Sequence, residues 1–121
     1  MKLSPMFGDI FYAKLDREGH VQGGERPVVI VQNNIGNKYS PTVEILPISA
    51  RIDKAKRKNL PTQVIVEPSD TNGLRYSSVV LGEQVQTINK EQLLMKIGSL
   101  SRCDLTRVGK ARSIQSPFFY P

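Results

Sequence analysis

The chain has 121 residues, 39% hydrophobic and 23% charged, enough for one soluble domain around one core. No apolar run reaches the roughly 18 residues of a membrane span, no apolar stretch of a secretory leader follows Lys2, and the lone cysteine, Cys103, excludes an internal disulfide and suits a reducing, cytoplasmic setting. Seventeen Lys and Arg against eleven Asp and Glu give +6 at pH 7, which attracts polyanions without choosing among RNA, DNA and an acidic protein.

In chain order, Gly8 and Asp9 make a turn that Asp9 caps, and residues 10–15 read as a first strand. A polar loop from Gly19 to Gly24 follows. Pro27 then opens Val28-Val29-Ile30-Val31, a run suited to a strand buried on both faces with proline at its first residue. Asn33, Asn34, Gly36 and Asn37 mark the next turn. Residues 42–48 alternate as a strand, and the densely basic stretch of Arg51, Lys54, Lys56, Arg57 and Lys58 reads by default as a solvated loop. Strands are expected at 63–67, 78–81 and 83–88, with Gly82 as a bend between the last two.

Helix signals come late. Asn89 with Gln92 resembles a capping box and predicts a short turn of helix around Leu93, Leu94 and Met95. Ser101 with Asp104 is a second box, opening a helix to about Gln115 whose Leu105, Val108 and Ala111 form a docking stripe. Cys103 is expected as a small, semi-buried side chain. The apolar tail Pro117-Phe118-Phe119-Tyr120-Pro121 is expected to pack against the body or a partner subunit. Without repeats or linkers, the economical architecture is one mostly antiparallel barrel with a C-terminal helix.

Several chemistries are excluded. One His and one Cys cannot build a zinc cage, and no acidic cluster has calcium-loop spacing. The glycines of Gln22-Gly23-Gly24-Glu25-Arg26 lack the Lys-Ser/Thr of a Walker loop, and no G-x-S-x-G elbow occurs. Arginine, hydroxyls, carboxylates and backbone donors remain to do any chemistry, with no metal or cofactor expected.

The segment Gln22-Gly23-Gly24-Glu25-Arg26-Pro27-Val28-Val29-Ile30-Val31-Gln32-Asn33 resembles the QGG-x-RP-V-hydrophobic-QN signature of the MazF/PemK/Kid toxins. The similarity continues through residues 35–42, Lys54-Ala55-Lys56, Leu60-Pro61-Thr62-Gln63-Val64, Ser78-Val79-Val80-Leu81 and residues 83–90, so it covers about 7 to 100 in one order. The resemblance implies an SH3-like β-barrel of the CcdB/MazF type, dimerised through a face that includes the C-terminal helix. It implies sequence-selective cleavage of single-stranded RNA, commonly messenger RNA, to 2′,3′-cyclic phosphate and 5′-hydroxyl ends. It further implies an acidic antitoxin as protein partner. A gyrase-poisoning binding module on the same barrel is a competing reading, opposed by the Q-G-G-x-R-P signature. An attenuated relative that binds RNA or antitoxin but hardly cuts is another.

Attack of a ribose 2′-oxygen on phosphorus gathers negative charge, which a fixed cation stabilises. Arg26 suits this because its planar fork holds two phosphate oxygens and stays charged, making acid an easier role for it than base. Gly23 and Gly24 let backbone N–H groups approach a phosphate. Ser49 matches the family's second catalytic position, usually threonine; the hydroxyl is kept and the χ1 stiffness is lost. Gln86 stands where the family more often has an arginine that contacts RNA or antitoxin. Gln84 matches the family and can read a base edge or orient a phosphate. Glu25 is a candidate proton acceptor, and Gln22 and His20 are candidate RNA contacts, His20 being the side chain that titrates nearest neutrality. Lys54 and Lys56 would add salt-dependent affinity beside an RNA groove. Phe11 and Tyr12 are strand aromatics, read as core before stacking platforms.

Overall fold

The computed structural model describes residues 4–16 and 24–117. Seven strands alternate with three helices: β1 (Asp9–Leu15), β2 (Gly24–Ile30), α1 (Asn34–Tyr39), β3 (Thr42–Ser49), α2 (Ile52–Lys58), β4 (Gln63–Val66), β5 (Ser78–Leu81), β6 (Gln86–Asn89), β7 (Leu93–Ser99) and α3 (Arg102–Gln115). The strands join antiparallel in the order β4-β5-β3-β2-β1-β7, with β6 also pairing β3. A single 3-10 turn, Lys90–Gln92, links β6 to β7 without pairing them, so the sheet stays open and the expected barrel is incompletely closed.

The valine-isoleucine run of β2 does what its composition demands. Val28, Val29 and Ile30 are fully buried because both faces of the central sheet are covered. On one face Phe11, Ala13, Leu15, Val28, Ile30, Val43, Ile45, Ile88 and Leu93 close an inner core. On the other, Ile10, Val29, Leu46, Ile48, Val66 and Val80 meet Val108 and Ala111 of α3, with Leu105 packed alongside, so the predicted stripe docks. The strand starts earlier than expected, at Gly24, and Pro27 lies inside it. Pairing of β2 with β3 runs only from Val28 onward, so the proline nitrogen, which cannot donate, sits just outside that ladder.

Three local readings need correction. The asparagine-rich turn is helix α1: Asn33 Oδ1 accepts Gly36 N–H at 2.9 Å, and buried Asn37 donates to Gln32 O and Asn34 Oδ1. Side chains that favour turns here cap and brace a helix instead. The basic stretch is not a loop but α2, anchored by Ala55 on Val79 and Leu81 and ended by Asn59 in the left-handed region at φ 47°. The capping box at Asn89 forms, with Gln92 Oε1 accepting Asn89 N–H at 3.0 Å, yet it opens only the 3-10 turn. Residues 93–95 belong to β7, because the edge of β1 offers backbone partners along its length, with register shifts at two points.

The two capping readings hold, and the single-residue readings divide. Ser101 Oγ accepts Asp104 N–H at 3.1 Å and opens α3 at Arg102. Asp9 Oδ2 accepts Met6 N–H at 2.9 Å, fixing the turn before β1. Phe11 is core, whereas Tyr12 is 40% exposed. Cys103 is exposed on the first turn of α3 rather than semi-buried. The expectation for the aromatic tail falls on residues 118–121, outside the described residues.

Candidate functional site

The site is built by strand register. Arg26 lies opposite Ala13 of β1, so it shares a face with the inner core. The β2–β3 ladder ends with Val28 opposite Pro47, and by strand alternation Arg26 and Ser49, each two residues beyond that pair, lie on the same face of the sheet. Gln86, opposite Ile45, also lies on this face, nearer the middle of β3. Arg26, Gln84 and Gln86 are half-buried and Ser49 is buried. None of Arg26, Gln84 and Gln86 lacks a partner. The face that is apolar and closed between Val28 and Ile30 thus becomes polar at the Arg26 end.

Gly24 opens β2 at φ 78°, a conformation that disfavours any side chain, with open space where a Cβ would point. Backbone at this point is accessible to a ligand. Glu25 is placed differently from Arg26. Adjacent strand residues project to opposite faces, and Glu25 lies across from Lys14, exposed, away from the Arg26–Ser49 face. Gln22, Gly23 and His20 lie outside the described residues. On α2, Lys54 and Lys56 flank Ala55 by about 100° in either direction, so they cannot serve one groove together. Lys54 shares its flank with Lys58, four residues on.

One residue of the site was hidden in the basic run. Arg51 N–H donates to Ser49 Oγ at 3.2 Å, an i to i+2 turn that pins the serine hydroxyl at the end of β3. The serine oxygen accepts this one N–H, which orients the hydroxyl, and its proton is free to be offered to a substrate. Burial, and then the positive charge of Arg51, hold the Arg26 guanidinium below its ordinary pKa. A guanidinium so placed gains more from an anion than a solvated one does, and parts with a proton more readily. The signal that could have found Arg51 was its position two residues after a strand-ending serine. Among the described residues no three His, Cys, Asp or Glu side chains converge to hold a metal, and no described helix is long and apolar enough to cross a membrane.

Fold and site together define a small β-rich protein whose open sheet carries an arginine and a serine hydroxyl on one face. Comparison with known proteins narrows that class. The family model described as PemK-like, MazF-like toxin of type II toxin-antitoxin system matches residues 6–114. The chain is 45% identical over 108 residues to Endoribonuclease MazF of Staphylococcus saprophyticus, covering 88% of this chain and 87% of that one. Among solved structures, an endoribonuclease from a mycobacterial species superposes with a TM-score of 0.77 at 21% identity, over 99% of this chain and 98% of the other. The Mycobacterium tuberculosis toxin MazF-mt6 does so with a TM-score of 0.74 at 26% identity, over 93% and 99%. The chain belongs to the PemK-like, MazF-like toxin family.

Proposed function

We propose that this chain is the toxin of a type II toxin–antitoxin system, a metal-independent endoribonuclease that cuts single-stranded RNA in the cytoplasm at the Arg26–Ser49 pair. The observation that carries the reading is that strand alternation puts Arg26 and Ser49 on one face, with the Ser49 hydroxyl tied to the Arg51 backbone. Family membership and the 45% identical endoribonuclease support it.

In this reading the ribose 2′-oxygen forms a bond to phosphorus as the bond to the 5′-oxygen breaks, giving a 2′,3′-cyclic phosphate and a 5′-hydroxyl. The 2′ proton leaves to a base, and the departing 5′-oxygen takes up a proton. Arg26 spans the non-bridging oxygens and compensates the charge of the phosphorane. Ser49 donates its hydroxyl proton to a phosphate oxygen from a fixed position. Gln86 contacts the strand along the same face and Gln84 from the turn between β5 and β6.

The net charge of +6 favours an acidic antitoxin as well as RNA. A solved mycobacterial relative at 23% identity is an endoribonuclease in complex with its cognate antitoxin, which supports the same kind of partner here. Exposed Met6, Phe7, Ile35, Tyr39, Leu94 and Met95 supply apolar surface that a second copy would cover in a homodimer. The test is cleavage of a transcribed single-stranded RNA in EDTA. Wild-type protein is expected to cut at discrete positions, mapped by primer extension, and Arg26→Ala to leave the RNA whole while unfolding at the same temperature. Cutting that needs a divalent cation, or that survives Arg26→Ala, overturns the reading.

A further inference from the structure

We propose that Arg51 is a second phosphate-binding guanidinium of the same site, sharing the scissile phosphate with Arg26. The inference rests on the reading of Arg26 and Ser49 as the cleavage site and adds a residue to it. Three observations lead there. The Arg51 backbone is tied to Ser49 Oγ, which lies on the same face as Arg26, and the Arg51 charge is near enough to act on Arg26. Arg51 precedes α2 as its N-cap residue, and that helix is fixed by Ala55 on Val79 and Leu81, so the backbone position is held and not incidental. The Arg51 side chain is exposed, and the two ion pairs among the described residues, Lys96 with Asp9 and Arg107 with Asp104, leave it without a carboxylate.

Two like charges near one another repel, and after burial the positive charge of Arg51 is what holds the Arg26 pKa down. An anion between them turns that repulsion into attraction on both sides. The gain is largest in the phosphorane, which carries more negative charge than the diester it comes from. Arg51 therefore acts on the rate of the bound complex more than on affinity. A lysine keeps the charge but loses the forked geometry, so it restores part of the effect.

The experiment compares wild type with Arg51→Gln and Arg51→Lys, and uses Arg107→Gln as a reference for the loss of one charge on α3. Single-turnover cleavage is measured at saturating protein on a short single-stranded RNA spanning a mapped cut site. Binding is measured on the same RNA carrying one 2′-deoxy sugar at the cut. Arg51→Gln is expected to slow cleavage about 10- to 100-fold, to weaken binding by about threefold or less, and to leave the unfolding temperature in place. Arg51→Lys is expected to fall between it and wild type, and Arg107→Gln to match wild type. A wild-type rate in Arg51→Gln, a loss confined to binding, or Arg51→Lys no better than Arg51→Gln overturns the proposal. Wild-type protein that cuts no RNA overturns the underlying reading instead, so the two failures are distinct.

Discussion

The two halves of β2 have the same backbone and opposite tasks. From Val28 to Ile30 the strand is paired on both sides and fully buried, locked between the inner core and the layer under α3. From Gly24 to Pro27 it keeps β1 but has run past its ladder with β3, and its side chains are exposed or half-buried. The difference teaches where a small sheet can hold chemistry. The buried half fixes the register, and alternation from it puts Arg26 and Ser49 on one face, with no dedicated scaffold for the site. The largest expected effect separates the halves directly. Arg26→Ala should lower the cleavage rate by about 100-fold or more, the loss of a fixed donor at developing charge, with the unfolding temperature unmoved.

The converse change belongs to the buried half. Leu46, opposite Val29 and fully buried, lies in the core beneath α3. Leu46→Ala should cost about 2–5 kcal/mol of stability through lost contacts and the cavity left behind, read by urea unfolding. The rate per folded molecule, measured in single turnover well below the midpoint, should stay within about twofold. A rate that fell with stability would show that register and site are not separable, and would break the comparison.

Ser49 tests the functional half more finely. It ends a strand, where β-branched side chains fit well, and threonine adds χ1 stiffness to the same hydroxyl. Ser49→Thr should therefore raise the rate about two- to fivefold, the equivalent of restricting one rotor worth about 0.5–1 kcal/mol. A rate at or below that of wild type would mean that the Arg51 N–H already fixes the hydroxyl as well as a methyl group could.

What was legible in the chain follows the same division. The buried run at Val28 to Ile30, the alternation of β3 and the capping box of α3 were readable because burial and capping leave strong, short-range patterns. Helices α1 and α2, with six and seven residues, are too short for a hydrophobic period, and each rests on a single small buried residue, Asn37 or Ala55. The helix expected around Leu93 failed because a local cap cannot outweigh the unpaired edge of β1, a partner about 80 residues distant in sequence. For the site, motif likeness reached Arg26 and Ser49. That they share one face depends on pairing between strands, which no local pattern encodes, whereas the turn that brings Arg51 to Ser49 is local and was masked by the basic run around it.

The smallest expected effect lies farthest from the chemistry and measures how independent the two halves are. Ser101 caps α3 through Asp104 N–H, and α3 covers the face of the sheet opposite Arg26 and Ser49. Ser101→Ala removes the acceptor for one N–H of the first turn and should cost about 1 kcal/mol. Because α3 reaches the site only through the sheet, the cleavage rate should not change at all. A measurable drop in rate from so small a loss would mean that α3 tunes the spacing of β2 and β3 at their Arg26 end, tying the covered face to the catalytic one.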